Sequence, residues 1–199
     1  MASPPEVTMT NLSGTFVLNK SLSDEIDPLF VLQGLSWFTR KAIGLATVVL
    51  TVKEYTKDSV IHIDITSVAS GLSTTQENRT LDWQERDHSD RIFGNIKGRS
   101  RMWTTGGFEP VLQMPAEVMA FMLGNKLKDG QTDSRFLEDD HLHSFVQNVD
   151  EGYRWAAEQN WGFEEIDGKR YHTRRVMVQN QKGDKHELAR LVYDYTGKA

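Results

Sequence analysis

The spacing of apolar residues changes period repeatedly between Leu12 and Tyr55. Gly14 to Lys20 alternates, with Phe16 and Leu18 on one face, which is the period of a half-buried strand. Ser23 or Asp24 is then placed to cap a short helix, with Pro28 in its first turn and Gly34 at its end. Ser36 caps a second helix, from about Trp37 to Ile43, which Gly44 closes. Together the two helices present Ile26, Leu29, Phe30, Leu35, Trp37, Phe38 and Ile43. Alternation returns at Thr47–Tyr55. A helical pair between the first two strands of a strand-rich chain is the order by which a closed barrel covers its open end. A barrel lidded in this way predicts an enclosed apolar cavity.

Strand rhythm continues downstream. Ser59–Val68 is rich in β-branched residues, and Ile61, Ile63 and Ile65 define its buried face. Leu72–Trp83 and Arg91–Met102 alternate more weakly. From Trp103 to about Arg135 the rhythm breaks: Gly106-Gly107 and Pro110 mark a loop. Pro115 then opens a helix in which Val118, Met119, Met122, Leu123 and Leu127 recur at helical spacing. Strands resume at about Ser144–Asp150, Arg154–Phe163, Arg170–Asn180 and Lys185–Tyr195, joined by glycine-bearing turns. The pattern predicts an antiparallel up-and-down β-barrel of about ten strands, with a helix-turn-helix lid and one inserted helix. Residues 1–10 read as a flexible leader. Residues 11–199 read as a single domain carrying an insertion at about 103–135.

Composition narrows the class of partner. A net charge of −5 over 199 residues disfavours a phosphate-backbone ligand, and acidic residues surround the basic clusters at Lys97–Arg101 and Lys169–Arg175. The chain has no cysteine, which excludes disulfides and thiolate metal sites. The N-terminus lacks a charged region followed by an apolar core, and no apolar run reaches membrane-spanning length. An intracellular, cytoplasmic protein with neither a nucleic-acid partner nor a membrane span is the expectation.

Gly14-Thr15-Phe16, the helical pair and the run Thr39-Arg40-Lys41-Ala42-Ile43-Gly44 resemble the intracellular fatty-acid- and retinoid-binding proteins of the lipocalin superfamily. Leu191-Val192-Tyr193-Asp194 is similar to the closing strand of that family. The whole chain is also similar to small fungal proteins of its length. The resemblance implies a calycin-like barrel that holds an apolar ligand inside. Two departures qualify it. The insertion around Pro115 is extra. The arginine that lies two residues before the last tyrosine of the family, where it clamps a carboxylate, is Leu191 here; Arg190 is one position off and faces the other way.

Candidate chemistry is sparse. No nucleophile elbow, P-loop or dinucleotide glycine motif occurs, so neither cofactor nor metal is expected. His62 and Asp64 share a strand face, but it is the one opposite the isoleucines, a solvated outer face. His141 and His143, beside Asp139 and Asp140, read as polar surface. His172 and Arg174 share a face with Val176 and Val178, so Arg174 is placed to replace the missing clamp; Arg79 and Arg91 are further candidates for a buried arginine. The residues expected against the ligand are Phe16, Leu18, Phe30, Trp37, Phe38, Val48, Leu50, Ile63, Trp83, Arg174 and Tyr193. The expected function is binding of an apolar small molecule such as a lipid, terpenoid or polyketide. A cofactor-independent cyclase or isomerase working in the same cavity is the alternative.

Overall fold

A computed structural model describes residues 1–70, 72–152 and 154–198. Among them the chain runs β1 (Gly14–Leu18), α1 (Asp27–Leu32), α2 (Trp37–Leu45), β2 (Val48–Lys57), β3 (Val60–Ala69), β4 (Ser73–Thr80), β5 (Arg86–Asp90) and β6 (Gly94–Thr104). It continues with α3 (Ala116–Met122), β7 (Asp140–Asn148), β8 (Trp155–Ile166), β9 (Lys169–Asn180) and β10 (His186–Gly197). All strands join one antiparallel sheet, in the order β4-β3-β2-β1-β10-β9-β8-β7-β6-β5. Consecutive strands therefore pair with each other, except β4 and β5, and the first strand also pairs with the last. This is the predicted up-and-down arrangement. β4 and β5 are the two edges, with no ladder between them. Side chains and single backbone contacts bridge the seam: Arg79 on β4 donates to Ser100 on β6 and Ser144 on β7, and the Trp83 amide donates to the Ser100 carbonyl.

Local chemistry explains most boundaries. The Ser36 hydroxyl caps α2 by accepting from the Thr39 amide at 3.2 Å, as its position foretold. Asp58 and Ser59 take left-handed φ values of 51° and 62°, which allows a two-residue hairpin between Lys57 and Val60. β5 was missed in the sequence because Arg-Asp-His-Ser-Asp contains no apolar residue to set a period.

The core is divided by level. At the lower end Val7, Met9 and Leu12 are buried against Val52, Ile63, Leu142 and Phe163. The first ten residues are thus no flexible leader. Their apolar side chains seal the barrel, and the Met9 amide is held by Glu138. At the upper end Leu29 and Leu32 of α1 pack on Trp155, Val176, Val178 and Ala189, so α1 covers the mouth. α2 buries nothing: Trp37, Phe38 and Leu45 are 63%, 76% and 86% exposed. Only half of the predicted lid closes on the barrel. No helix among the described residues is long and apolar enough to cross a membrane.

The insertion packs on the outside of the sheet. Val118, Phe121 and Met122 of α3 bury against Met177 and Leu188 on the outer face of β9 and β10. Beneath it lies a polar network. Arg175 spans Glu164 with Nε and Nη2, and donates further to the Phe121 and Lys126 carbonyls and to Ser134. Glu164 also accepts from Thr173 and from Arg190, which faces outward as expected.

Candidate functional site

Strand register assembles the interior site. Arg174 on β9 lies directly opposite Leu191 on β10 and Trp161 on β8. Because paired residues share a face, all three point inward. The Arg174 guanidinium lies 3.6 Å from the Trp161 ring centroid and 5.1 Å from that of Tyr193. The sequence expectation that Arg174 sits inside is met by this geometry, on a strand next to the usual clamp position.

A second arginine faces it. Alternation along β4 turns Glu77 and Arg79 inward. Arg79 donates to Glu77 at 2.7 Å, to Ser100 at 3.2 Å and to Ser144 at 2.6 Å. Its guanidinium lies 5.1 Å from the other side of the site, the Trp161 ring. His172 completes the floor, within 5.4 Å of Phe16 and 5.5 Å of both Phe163 and Tyr193.

Burial shapes the charges here. It pushes the His172 pKa well below the ordinary value, and the Arg174 charge adds to the effect, so the imidazole is neutral at pH 7. Burial raises the Tyr193 pKa, only partly offset by Arg174, so the phenol keeps its proton and can donate it. Burial also acts to raise the Glu77 pKa, but the Arg79 and Arg174 charges and the Arg79 hydrogen bond hold it below the usual carboxylate value. Burial lowers the Arg174 pKa against the pull of Tyr193 and Glu77, with Arg79 adding to the lowering. A guanidinium stays charged through such a shift. Glu77 is thus shared by two cations, and Arg174 Nη2 has no hydrogen-bond partner.

Not every inward group is fully covered. Glu77 faces inward, yet its side chain is 36% exposed. Leu18, Val48 and Leu191 also face inward and are only partly buried. A cleft of about 510 Å³ under the lid shares Leu18 with this region and is walled by Ile26, Phe30, Arg40 and Leu45.

The predicted ligand-side residues separate into groups. Phe16, Leu50 and Ile63 are buried in the core and Leu18 and Val48 pack against it; Arg174 and Tyr193 belong to the polar constellation. Phe30 lies under the lid, 6.3 Å from Phe93. Trp37 and Phe38 are on the exposed face of α2, away from the interior. Trp83 is outside the barrel, with Arg99 at 4.5 Å and Arg101 at 4.2 Å from its ring, because a left-handed φ of 61° at the seam turns the chain there. His62 and Asp64 are on the outer face, with His62 stacked on Tyr55. His141 and His143 are not polar surface: both are buried beneath the insertion, and His143 bonds Glu158 at 3.0 Å. Glu77, Ser100, Ser144 and Trp161 escaped the sequence reading. The inward parity of Glu77 and Arg79 on β4 was the available signal.

The chain has a calycin-like barrel, with a polar constellation set in an apolar interior. No family model matches it. Two fungal proteins are similar over nearly the full length. Probable pericyclase scpY of Mollisia scopiformis is 28% identical over 98% of this chain and 95% of its own. Pericyclase pydY of Acremonium sp. is 28% identical over 99% of this chain and 98% of its own. Among solved structures, apo lipid binding protein 8 of Caenorhabditis elegans superposes with a TM-score of 0.56 at 11% identity, over 98% of this chain and 99% of that one. The Schistosoma mansoni fatty acid binding protein in complex with arachidonic acid gives 0.55 at 14% identity, over 94% and 98%. These likenesses establish the fold.

Proposed function

We propose that this protein is a cyclase that folds an apolar, polyunsaturated small molecule inside the barrel and accelerates a concerted ring closure. The observation that carries the reading is Arg174, a buried guanidinium with an unpartnered nitrogen, set against Trp161 and Tyr193 in an apolar interior. The full-length similarity to two proteins named as pericyclases supports the same reading.

The chemistry fits the groups present. In a concerted cycloaddition two σ bonds form at the expense of two π bonds, and every atom of the substrate remains in the product. No proton or electron has to be supplied. What the protein contributes is conformation and polarisation. Holding a flexible chain in a reactive fold lowers the entropic part of the barrier, by up to roughly 7–11 kcal/mol. Phe16, Leu18, Val48 and Leu50 supply apolar walls for that purpose. Arg174 and the Tyr193 hydroxyl donate to a carbonyl conjugated with the reacting alkene, draw electron density from it and lower the barrier further. Arg79 is fixed by Glu77, Ser100 and Ser144, and keeps the Arg174 charge from being quenched by Glu77 alone.

The test uses the producing organism. A deletion strain is expected to accumulate an acyclic isomer of the same mass as the lost product. The purified protein should convert that isomer to the cyclic compound without additives, and Arg174→Met should reduce the rate by at least a hundredfold, about 2.7 kcal/mol. Tight binding of the isomer without conversion would make the protein a carrier and overturn the proposal.

A further inference from the structure

The insertion and the outer ends of β6 and β7 enclose a second cleft, of about 590 Å³. It lies on the opposite face of the sheet from Arg174. Behind its wall is a packed group of rings, with His141 buried against Trp103 at 4.3 Å and Phe136 at 4.5 Å between centroids. Leu123 and Leu137 extend the apolar wall, and Thr105, Asn125, Arg135 and Asp139 form a polar rim.

This group is rigid and uncharged. Phe136 is wedged against two glycines: a Cβ at Gly124 or Gly162 would fall 2.7 Å or 2.5 Å from its ring. Burial holds the His141 pKa down to about 4, against the nearby Asp140 and Asp139, so the imidazole is neutral at pH 7. Glu138 is already engaged by Arg170 and by the Met9 amide. Arg135 is exposed at the rim, and no hydrogen bond or ion pair to it exists among the described residues. A pre-formed aromatic cleft of this size matches the dimensions of sites for small organic molecules.

We propose that this cleft is a second small-molecule site, which takes a flat conjugated monoanion. Its rings lie against Phe136, Leu123 and Leu137, with the buried rings of His141 and Trp103 behind them, and its charge meets Arg135. The Asp139 carboxylate on the same rim selects against multiply charged ligands. The site is independent of the interior chemistry.

Two fluorescent probes of nearly equal shape test this: anilinonaphthalene sulfonate, an anion, and the uncharged phenylnaphthylamine. Both are titrated against the full chain, with energy transfer from tryptophan as the readout. Arg135→Gln should weaken the sulfonate by about tenfold, the worth of one charge-assisted contact, and leave phenylnaphthylamine unchanged. Asn125→Trp, which fills the mouth, should remove this component for both probes, whereas Arg174→Met should leave it in place. Because Arg135 is exposed and unpaired, its substitution does not threaten folding. Equal sulfonate affinity in the parent and Arg135→Gln, or loss of the component in Arg174→Met, would overturn the proposal.

Discussion

Arg174 and Arg175 are neighbours in the chain and opposites in circumstance. Strand alternation sends the first into the barrel and the second out beneath the insertion. Arg175 is fully buried, and each of its three guanidinium nitrogens donates to an oxygen, two of them on Glu164. Arg174 is nearly as buried, but it has two aromatic faces, a long contact to His172 and an unpartnered Nη2. Burying a charge is costly unless partners replace the lost water. The outer arginine has its partners within the chain, so its role is complete when the chain folds. The inner one lacks a full set, and the proposed function draws on that remaining capacity.

The largest effect should come from the outer network. Glu164→Ala leaves Arg175 buried without its counter-charge and should cost about 3–5 kcal/mol, read as a lower urea midpoint. A loss below about 1 kcal/mol would break the contrast. Gly162→Ala should cost about 1–3 kcal/mol by forcing the Phe136 ring from its slot, with a matching drop in thermal midpoint.

Acid should loosen both faces. His141, with a pKa of about 4, and His172, shifted in the same direction, bind protons less readily folded than unfolded. Stability is therefore highest above the ordinary histidine pKa of 6.5 and falls as pH drops from there toward about 4. Glu164 has a depressed pKa, held down by Arg175 and Arg190 against burial, and its contribution fades at still lower pH, through its folded value. Unfolding free energies from urea titrations at those two limits should differ by about 3 kcal/mol through His141 alone, and the fall should be smaller in His141→Phe. The smallest change in stability belongs to Arg174→Met. Removing an under-partnered charge from apolar surroundings should leave stability within about 1 kcal/mol of the parent, or raise it, while the proposed cyclisation falls. If Arg174→Met and Arg175→Met destabilise equally, the inner arginine is structural.

How much of this was legible depended on whether a pattern is local. Alternation and capping are local, so β1, α2 with its Ser36 cap, and the inward side of β9 were readable. The same parity that put Arg174 inside predicted that Arg190 would face out. Whether a side chain is covered is not local. Nothing near Trp37 or Phe38 in sequence says that α2 lies open, and the burial of His141 and His143 depends on an insertion folding back over distant strands. Trp83 was misplaced because a single left-handed residue reverses the parity on which the reading relied. Val7 and Met9 looked like a leader because their partners lie on β3, β7 and β8, far along the chain.

The seam between β4 and β5 has a bearing on solubility. Any open sheet offers free amides and carbonyls along its edges, to which a strand from another molecule can add. Here both edges, Ser-Thr-Thr-Gln-Glu-Asn-Arg-Thr and Arg-Asp-His-Ser-Asp, are without a single apolar residue. A stranger docking there would bury charge and gain no hydrophobic contact. The absence of pattern that hid β5 from sequence reading is also what makes it a poor template for aggregation, and it lets the barrel keep an open joint without the hazard such a joint brings.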